Sequence, residues 1–425
     1  MVLHIEKLVY PGRSLAYADG RVVFADEGLP GEAVEAEPAG DRGNFLEVRT
    51  IRVLTPSPAR VAPRCGHYRA CSIYQILDYP AQLEAKRAQL AEILGPAGES
   101  PATGLGVVPS PDVWRYRNKA RFALVRGPEG IRLAYNAPGS REDRIPVDDC
   151  HLVARPVMDL LRAALEVVRA GRLDAPAEME ARQTVGGREL LLNLFWPGAP
   201  APRTVDALVA GLSGRSGLAG IVSLRRKGRG WTETAEWGRG WIEERAAGSG
   251  FLVGARSFFQ VNVLLLERVI ADIRAAAAFS GNERLADLYC GVGTFGLALA
   301  GAVREVRGVE SEPANVDFLR RNVERAKAPA FKIYEGTAEE WAGAVLGAKM
   351  DAAVFDPPRK GLGPGIVAAL LAAPPRRLFY LSCNPTTLAR DLKALAPAYV
   401  VASVRGYDFF PHTPHIETLA VLQKK

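Results

Sequence analysis

From Ser257 onward the chain alternates short apolar runs with helix-patterned stretches, and the first run ends in Asp287-Leu288-Tyr289-Cys290-Gly291-Val292-Gly293-Thr294-Phe295-Gly296. This order constrains the fold more than any other feature, because strands separated by helices build a parallel, doubly wound α/β sheet. A helix over 263–279 leads into a strand over 284–289. Strands over 305–310, 330–334, 351–355 and 377–381 follow, with a helix over 313–327, and 399–406 with 416–422 close an antiparallel edge. Such sheets hold ligands at the carboxyl ends of their strands. Gly291 and Gly293 lack the Cβ atoms that would keep a ligand from the backbone. Glu310 ends the next strand, where a carboxylate meets a ribose, and Asp356-Pro357-Pro358 follows the fourth. The spacing Gly291-x-Gly293-x-x-Gly296 also satisfies a dinucleotide site. Asp356-Pro357-Pro358 and a Cys after the fifth strand argue instead for S-adenosylmethionine, which needs no pyrophosphate cradle. The plain alternative is a tight turn without a ligand.

That Cys lies in Ser382-Cys383-Asn384-Pro385-Thr386, and a second polar segment follows, Asp408-Phe409-Phe410-Pro411-His412-Thr413-Pro414-His415-Ile416-Glu417. The two offer a thiol nucleophile and a carboxylate base, a pairing that suits methylation of a pyrimidine carbon. A Cys after the apolar run 378–381 is commonly inert packing. Asn384-Pro385 stops the strand at once, however, and leaves Cys383 at its carboxyl end. His412 and His415 are expected to hydrogen-bond within the loop that presents Glu417.

At 425 residues and 48% hydrophobic, the chain divides into two or three domains, expected at 1–58, 59–250 and 251–425. No apolar run reaches membrane-spanning length and residues 1–12 lack a signal-peptide core, so a cytoplasmic protein without disulfides is expected, working as a monomer. The net charge of +7 fits a nucleic-acid partner without requiring one. Residues 2–53 read as a small β-barrel, with strands at 8–10, 21–25, 33–37 and 45–53 broken by Gly, Pro and Asp. Residues 79–94 read as a helix, on the spacing of Leu83, Leu90 and Leu94. Over 114–126 the pattern alternates, which puts Arg115, Arg117, Lys119 and Arg121 on one face of a strand, with Trp114, Tyr116 and Phe122 behind. That face can follow an RNA backbone or be merely solvated. The acid-free run Arg225-Arg226-Lys227-Gly228-Arg229-Gly230-Trp231 reads as a hairpin turn with the same two possibilities.

With these motifs in order, the chain resembles the S-adenosylmethionine-dependent RNA uracil-C5 methyltransferases of the RumA and TrmA type. The resemblance spans nearly the whole chain and rests on Ser257-Phe258-Phe259-Gln260-Val261-Asn262, Asp287 to Gly293, Asp356-Pro357-Pro358-Arg359, Ser382-Cys383-Asn384-Pro385 and Phe410-Pro411-His412-Thr413-x-His415-x-Glu417. It implies a class I, Rossmann-like methyltransferase domain, an N-terminal OB-type barrel of the TRAM kind and a central α+β domain. It also implies that Gln260, Tyr289, Glu310 and Asp356 contact the cofactor, that Cys383 is the nucleophile and that Glu417 is the base. Large-subunit (23S) ribosomal RNA is the implied substrate, with transfer RNA open.

One region departs from the pattern. Cluster-binding members carry three clustered cysteines and a fourth downstream, whereas Cys65, Cys71 and Cys150 supply three in all. An iron-sulfur cluster completed by an outside ligand or by His67, and relic cysteines without metal, both stay open. Two rival functions are also consistent with parts of the chain. Asp356-Pro357-Pro358 suits amino-group methylation, although Arg359 then stands where an aromatic is wanted. An RNA-binding factor with an inactive methyltransferase fold would leave the intact motifs idle.

Overall fold

The computed structural model describes residues 1–95, 105–128, 130–137, 140, 143–228 and 230–425. Arg229, in the expected basic turn, lies outside the described residues. The first 55 residues form a six-stranded sheet in the order Val2–His4, Ala33–Asp41, Phe45–Thr55, Arg21–Ala25, Arg13–Ala18, Lys7–Val9. Asp19 and Gly20, at φ 48° and 74°, close a two-residue hairpin whose handedness matches the strand twist. Leu3, Ala16, Val23, Val34 and Val48 make its small core. Val2–His4 and Arg13–Ala18 were not expected as strands, because one is three residues long and the other carries Ser and Ala where strand formers usually stand.

A seven-stranded sheet follows, ordered Arg144–Pro146, Gly130–Asn136, Lys119–Gly127, Glu178–Gln183, Leu190–Trp196, Leu218–Lys227, Gly230–Gly238. Helix Arg155–Ala170 buries Val157, Leu161, Ala164 and Val168, spaced three or four apart, against Phe122, Met179 and Leu192. The alternation expected over 114–126 needs correction, because the strand begins only at Lys119. Arg115 sits at φ 59°, a left-handed backbone that an extended strand cannot contain. The basic hairpin forms as expected, with Lys227 opposite Gly230 and Gly228 at φ 58°.

Trp241–Ala246 and Ser249–Gly254 pair as a two-stranded sheet, and a fourth sheet has eight strands in the order Phe331–Glu335, Glu305–Glu310, Arg284–Leu288, Ala352–Phe355, Arg377–Ser382, Glu417–Lys424, Tyr399–Tyr407, Gly106–Val108. The first five are parallel, and Glu417–Lys424 runs antiparallel to both neighbours. Side chains alternate between two cores. Leu285, Val354, Phe379 and Leu381 meet Val269 and Ile273 on one face, while Ala286, Phe355, Leu378 and Tyr380 meet Leu370 and Leu388 on the other. The last strand comes from far earlier in the chain: Gly106–Val108 pairs in parallel with Tyr399–Tyr407. Helix Tyr79–Leu94, capped by Asp78 accepting from Ala81 N at 2.8 Å, joins the same body through Leu90 and Leu94. Its buried face also carries Gln82, Lys86 and Gln89, which apolar periodicity does not explain. Among the described residues no helix is long and apolar enough to cross a membrane.

Candidate active site

The strand order reverses direction beside Arg284–Leu288, and the ends of four neighbouring strands open onto that crevice. At the first, Tyr289, Gly291 and Gly293 adopt φ 67°, 58° and 94° before helix Thr294–Ala300 begins. A Cβ on Gly293 would fall 2.7 Å from Leu297 Cδ1 and 2.8 Å from Leu319 Cδ1, so no other residue fits this turn; at Gly291 the same position faces open space. Asp287 ties the turn by accepting from Gly296 N at 2.6 Å, and burial pushes its carboxyl up to about 8. Glu310 accepts from Gly291 N at 2.9 Å, Ser311 N at 2.9 Å and Glu312 N at 2.7 Å. These bonds fix its carboxylate at the turn while leaving lone pairs for further donors.

Asp356 ends the fourth strand and accepts from Gln260 Nε2 at 3.2 Å. Gln260 is held in turn by its own motif, in which Asn262 caps helix Val263–Ala277 and donates to Ser110 Oγ at 2.8 Å. The buried Tyr289 hydroxyl and the Oδ1 atom of Asp287 have no partner among the described residues. Orphaned polar atoms, an open glycine face and carboxylates at successive strand ends together fit S-adenosylmethionine, with carboxylates for its hydroxyls and its sulfonium.

Pairing across the fifth strand brings the other two residues together. Arg377–Ser382 aligns with Glu417–Lys424 so that Ser382 opposes Thr418, and one further step in that register sets Cys383 opposite Glu417. Cys383 stands just before the Asn384 cap of helix Pro385–Leu395, whose amino end favours a thiolate. Burial opposes this and prevails: with the Glu417 and Asp356 charges beside it, the thiol is pushed up to about 11, while Arg359 pulls the other way. Burial also lifts Asp356 to about 7, and burial with the Asp356 charge holds Glu417 well above the usual carboxylate range. Glu417 is 4% exposed and its Oε2 has no partner among the described residues. Asp356, Cys383 and Glu417 thus hold one another toward their protonated forms, and Arg359 opposes this at Cys383 and Glu417.

Of the two histidines of the same loop, His412 is held by the helix Tyr79–Leu94. The His412 backbone donates to Gln82 Oε1 at 2.8 Å, its Nδ1 accepts from Gln82 Nε2 at 3.0 Å, and its ring stacks on Trp114 at 3.6 Å. Burial lowers both His412 and His415 to about 4, with Lys86 and Arg64 adding to the first and Arg359 and Arg117 to the second. Neither carries charge at neutral pH. Sequence reasoning missed the brace behind this loop: Lys86 donates to Asp408 Oδ1 at 2.5 Å and to Phe410 O at 3.1 Å, and Lys86 and Asp408 are both fully buried. The available signal was polar Gln82 and Lys86, spaced i, i+4 on a helix face that should be apolar.

The expected RNA-binding residues separate. Arg115 is bound to Asp149 at 2.6 Å and to the carbonyls of Cys150 and Val153 at 2.7 and 3.1 Å, and Lys119 lies 3.5 Å from Glu180. They form no exposed basic stripe. Arg117 instead lies over the ring of Phe410 in the Glu417 loop, at 5.7 Å.

The thiols of Cys65 and Cys71 are raised first by burial, and the charges of neighbouring cysteines, Cys150 among them, add to this. Each sulfur already has a polar neighbour: Gln75 Nε2 donates to Cys65 at 3.2 Å, the Tyr135 hydroxyl donates to Cys150 at 3.3 Å, and Ser72 Oγ lies 3.5 Å from Cys71. Among the described residues no three His, Cys, Asp or Glu side chains are grouped to hold a metal ion. The remaining cysteines, Cys290 and Cys383, lie in the turns that follow strands Arg284–Leu288 and Arg377–Ser382. These residues do not fit a four-ligand iron-sulfur cluster.

Comparison with known proteins agrees with the crevice. Residues 251–425 match the model of the tRNA (uracil-5-)-methyltransferase family. An uncharacterized RNA methyltransferase of Listeria monocytogenes is 31% identical over 453 residues, covering 100% of this chain and 97% of that protein. One from Thermosynechococcus vestitus is 32% identical over 441 residues, covering 99% and 97%. Among solved structures, the Pyrococcus abyssi tRNA (uracil-54, C5)-methyltransferase in complex with S-adenosyl-L-homocysteine superposes with a TM-score of 0.76 at 26% identity, over 99% of this chain and 100% of that one. On relatives matched along its whole length, together with the family model and the superposed structure, the chain belongs to the S-adenosylmethionine-dependent RNA uracil-C5 methyltransferases.

Proposed function

We propose that this enzyme methylates C5 of a uridine in 23S ribosomal RNA through a covalent adduct on Cys383. The observation that carries the mechanism is the strand register that sets Cys383 opposite Glu417, beside Asp356. S-adenosylmethionine supplies an electrophilic methyl, and Gln260, Tyr289, Gly291, Gly293, Glu310 and Asp356 are the residues that would hold it. The target base must leave its stack to reach this crevice. Cys383 Sγ gives its proton to solvent and bonds to C6, and the C5–C6 π electrons move onto the C4 carbonyl oxygen as an enolate. C5 becomes nucleophilic. Once it carries its methyl, Glu417 takes the C5 proton, the C5=C6 bond re-forms and the Cys383 thiolate leaves. The positive sulfonium of S-adenosylmethionine, if held beside these acids, would favour the ionised Cys383 and Glu417 that these steps require.

Residues 1–58, 59–250 and 251–425 are read as three domains of a cytoplasmic enzyme, the first a TRAM-type barrel, with helix Tyr79–Leu94 docked on the third. Of the basic residues before Lys119–Gly127, Arg117 is assigned to RNA, since it borders the Glu417 loop. A transfer-RNA uridine is the second reading, supported by the substrate of the Pyrococcus abyssi relative, whose alignment includes the N-terminal sheet. Mapping 5-methyluridine in ribosomal and transfer RNA from cells with and without the gene decides between them.

The mechanism is tested by two variants that stop at different steps. Cys383→Ala is expected to abolish methyl transfer and any protein-RNA adduct. Glu417→Gln is expected to accumulate a methylated adduct that survives denaturing electrophoresis, because proton removal from C5 is blocked. Normal turnover by Glu417→Gln, or adducts that persist without Cys383, would overturn the assignment.

A further inference from the structure

The N-terminal sheet sends a turn into the reaction site. Val9 O accepts from Gly12 N at 2.7 Å, and a Cβ on Gly12, which sits at φ 96°, would fall 2.9 Å from Pro414 and 3.4 Å from Ile73. The backbone of residues 9–12 therefore lies directly on the loop that ends in Glu417. Its position is set by the helix that braces that loop. Tyr79–Leu94 holds the loop through Gln82 and Lys86, and one turn further on Gln89 Nε2 donates to Leu8 O at 3.2 Å and to the Tyr74 hydroxyl at 2.7 Å. Leu8 packs on Leu29, Tyr74 and Ile76. One rigid helix thus registers both the loop and the turn.

Tyr10 stands in this turn, two residues before the Gly12 that packs on Pro414, partly buried, and Arg359, Cys383 and Glu417 are the titratable groups whose charge acts on its phenol. Burial raises the phenol above its ordinary value, so it stays a protonated donor. Its hydroxyl makes no hydrogen bond to any described residue. The outer face of the N-terminal sheet, by contrast, is neutralised within itself, with Arg21, Arg42, Arg49 and Arg52 paired to Asp41, Glu47, Glu37 and Glu35. What this sheet offers the substrate is the tip of one turn.

We propose that Tyr10 is a wall of the base pocket, its hydroxyl donating a hydrogen bond to a carbonyl oxygen of the target pyrimidine. The proposal rests on the uracil-C5 reading above. The chemistry suits it, because addition of Cys383 at C6 moves charge onto a carbonyl oxygen, where a neutral donor stabilises it. The N-terminal sheet then completes the reaction site through this one turn.

The test uses the full-length enzyme, tritiated S-adenosylmethionine and bulk RNA from cells lacking the gene. Tyr10→Phe is expected to lower kcat/KM about tenfold, the size of one hydrogen bond to a developing charge. S-adenosylhomocysteine affinity should stay within about twofold of the wild type, since no cofactor contact is touched. In a Glu417→Gln background the same change should slow adduct formation. Wild-type rates for Tyr10→Phe would overturn the proposal, and so would an equal loss of S-adenosylhomocysteine affinity, which would mark Tyr10 as a folding residue. Wild-type enzyme that forms no 5-methyluridine would instead sink the uracil-C5 reading itself, and Tyr10's role with it.

Discussion

At the residue scale, the free enzyme holds its proposed nucleophile in the wrong protonation state for attack. Cys383 is pushed up to about 11 by burial and by two carboxyl groups, so the thiolate fraction is small at neutral pH and rises about tenfold per pH unit until the solution passes that value. Peptide-resolved alkylation of Cys383 by iodoacetamide is therefore expected to keep accelerating through pH 10. An ordinary cysteine levels off near pH 9, and a plateau there would contradict the environment described. The thiol and both acids were legible as chemistry from their motifs. Their shared pocket was not, because desolvation depends on every atom packed around them.

At the element scale, helix Tyr79–Leu94 acts as a splint between the reaction loop and the N-terminal sheet. Its Lys86–Asp408 pair is fully buried, and removing one partner strands the other charge away from water. Lys86→Met is expected to destabilise the enzyme by about 3–5 kcal/mol, read by urea unfolding, and Lys86→Met with Asp408→Leu should recover most of that loss. A single variant as stable as the wild type would mean that the pair is hydrated in solution. The helix itself was readable from the spacing of Leu83, Leu90 and Leu94, yet Leu83 is only partly buried and the packed face carries Gln82, Lys86 and Gln89. Period alone assigns a helix without naming its partner. Likewise the basic alternation before Lys119 read as a strand, and a single left-handed residue, Arg115, cancelled it.

At the scale of the whole molecule, the crevice belongs to the eight-stranded sheet, and the N-terminal turn at Gly12 packs on its Glu417 loop. Three thiols already hydrogen-bonded to side chains, with no fourth among five cysteines, are expected to yield no stoichiometric cluster. Iron and sulfide assays after anaerobic reconstitution check this, and a brown protein with near-equal iron and sulfide would refute it. The sequence by itself determined the parallel α/β sheet, the glycine turn and the strand-end acids, because apolar period, missing Cβ atoms and strand-stopping prolines act over a few residues. It also determined the family, through motifs kept in order. Only the tertiary structure decided that Gly106–Val108 closes a sheet made otherwise from the last third of the chain, that Glu417 faces Cys383, and that a turn from the first twelve residues packs on the loop that ends in Glu417. Those outcomes depend on pairing register and on contacts between segments hundreds of residues apart, which no local pattern records.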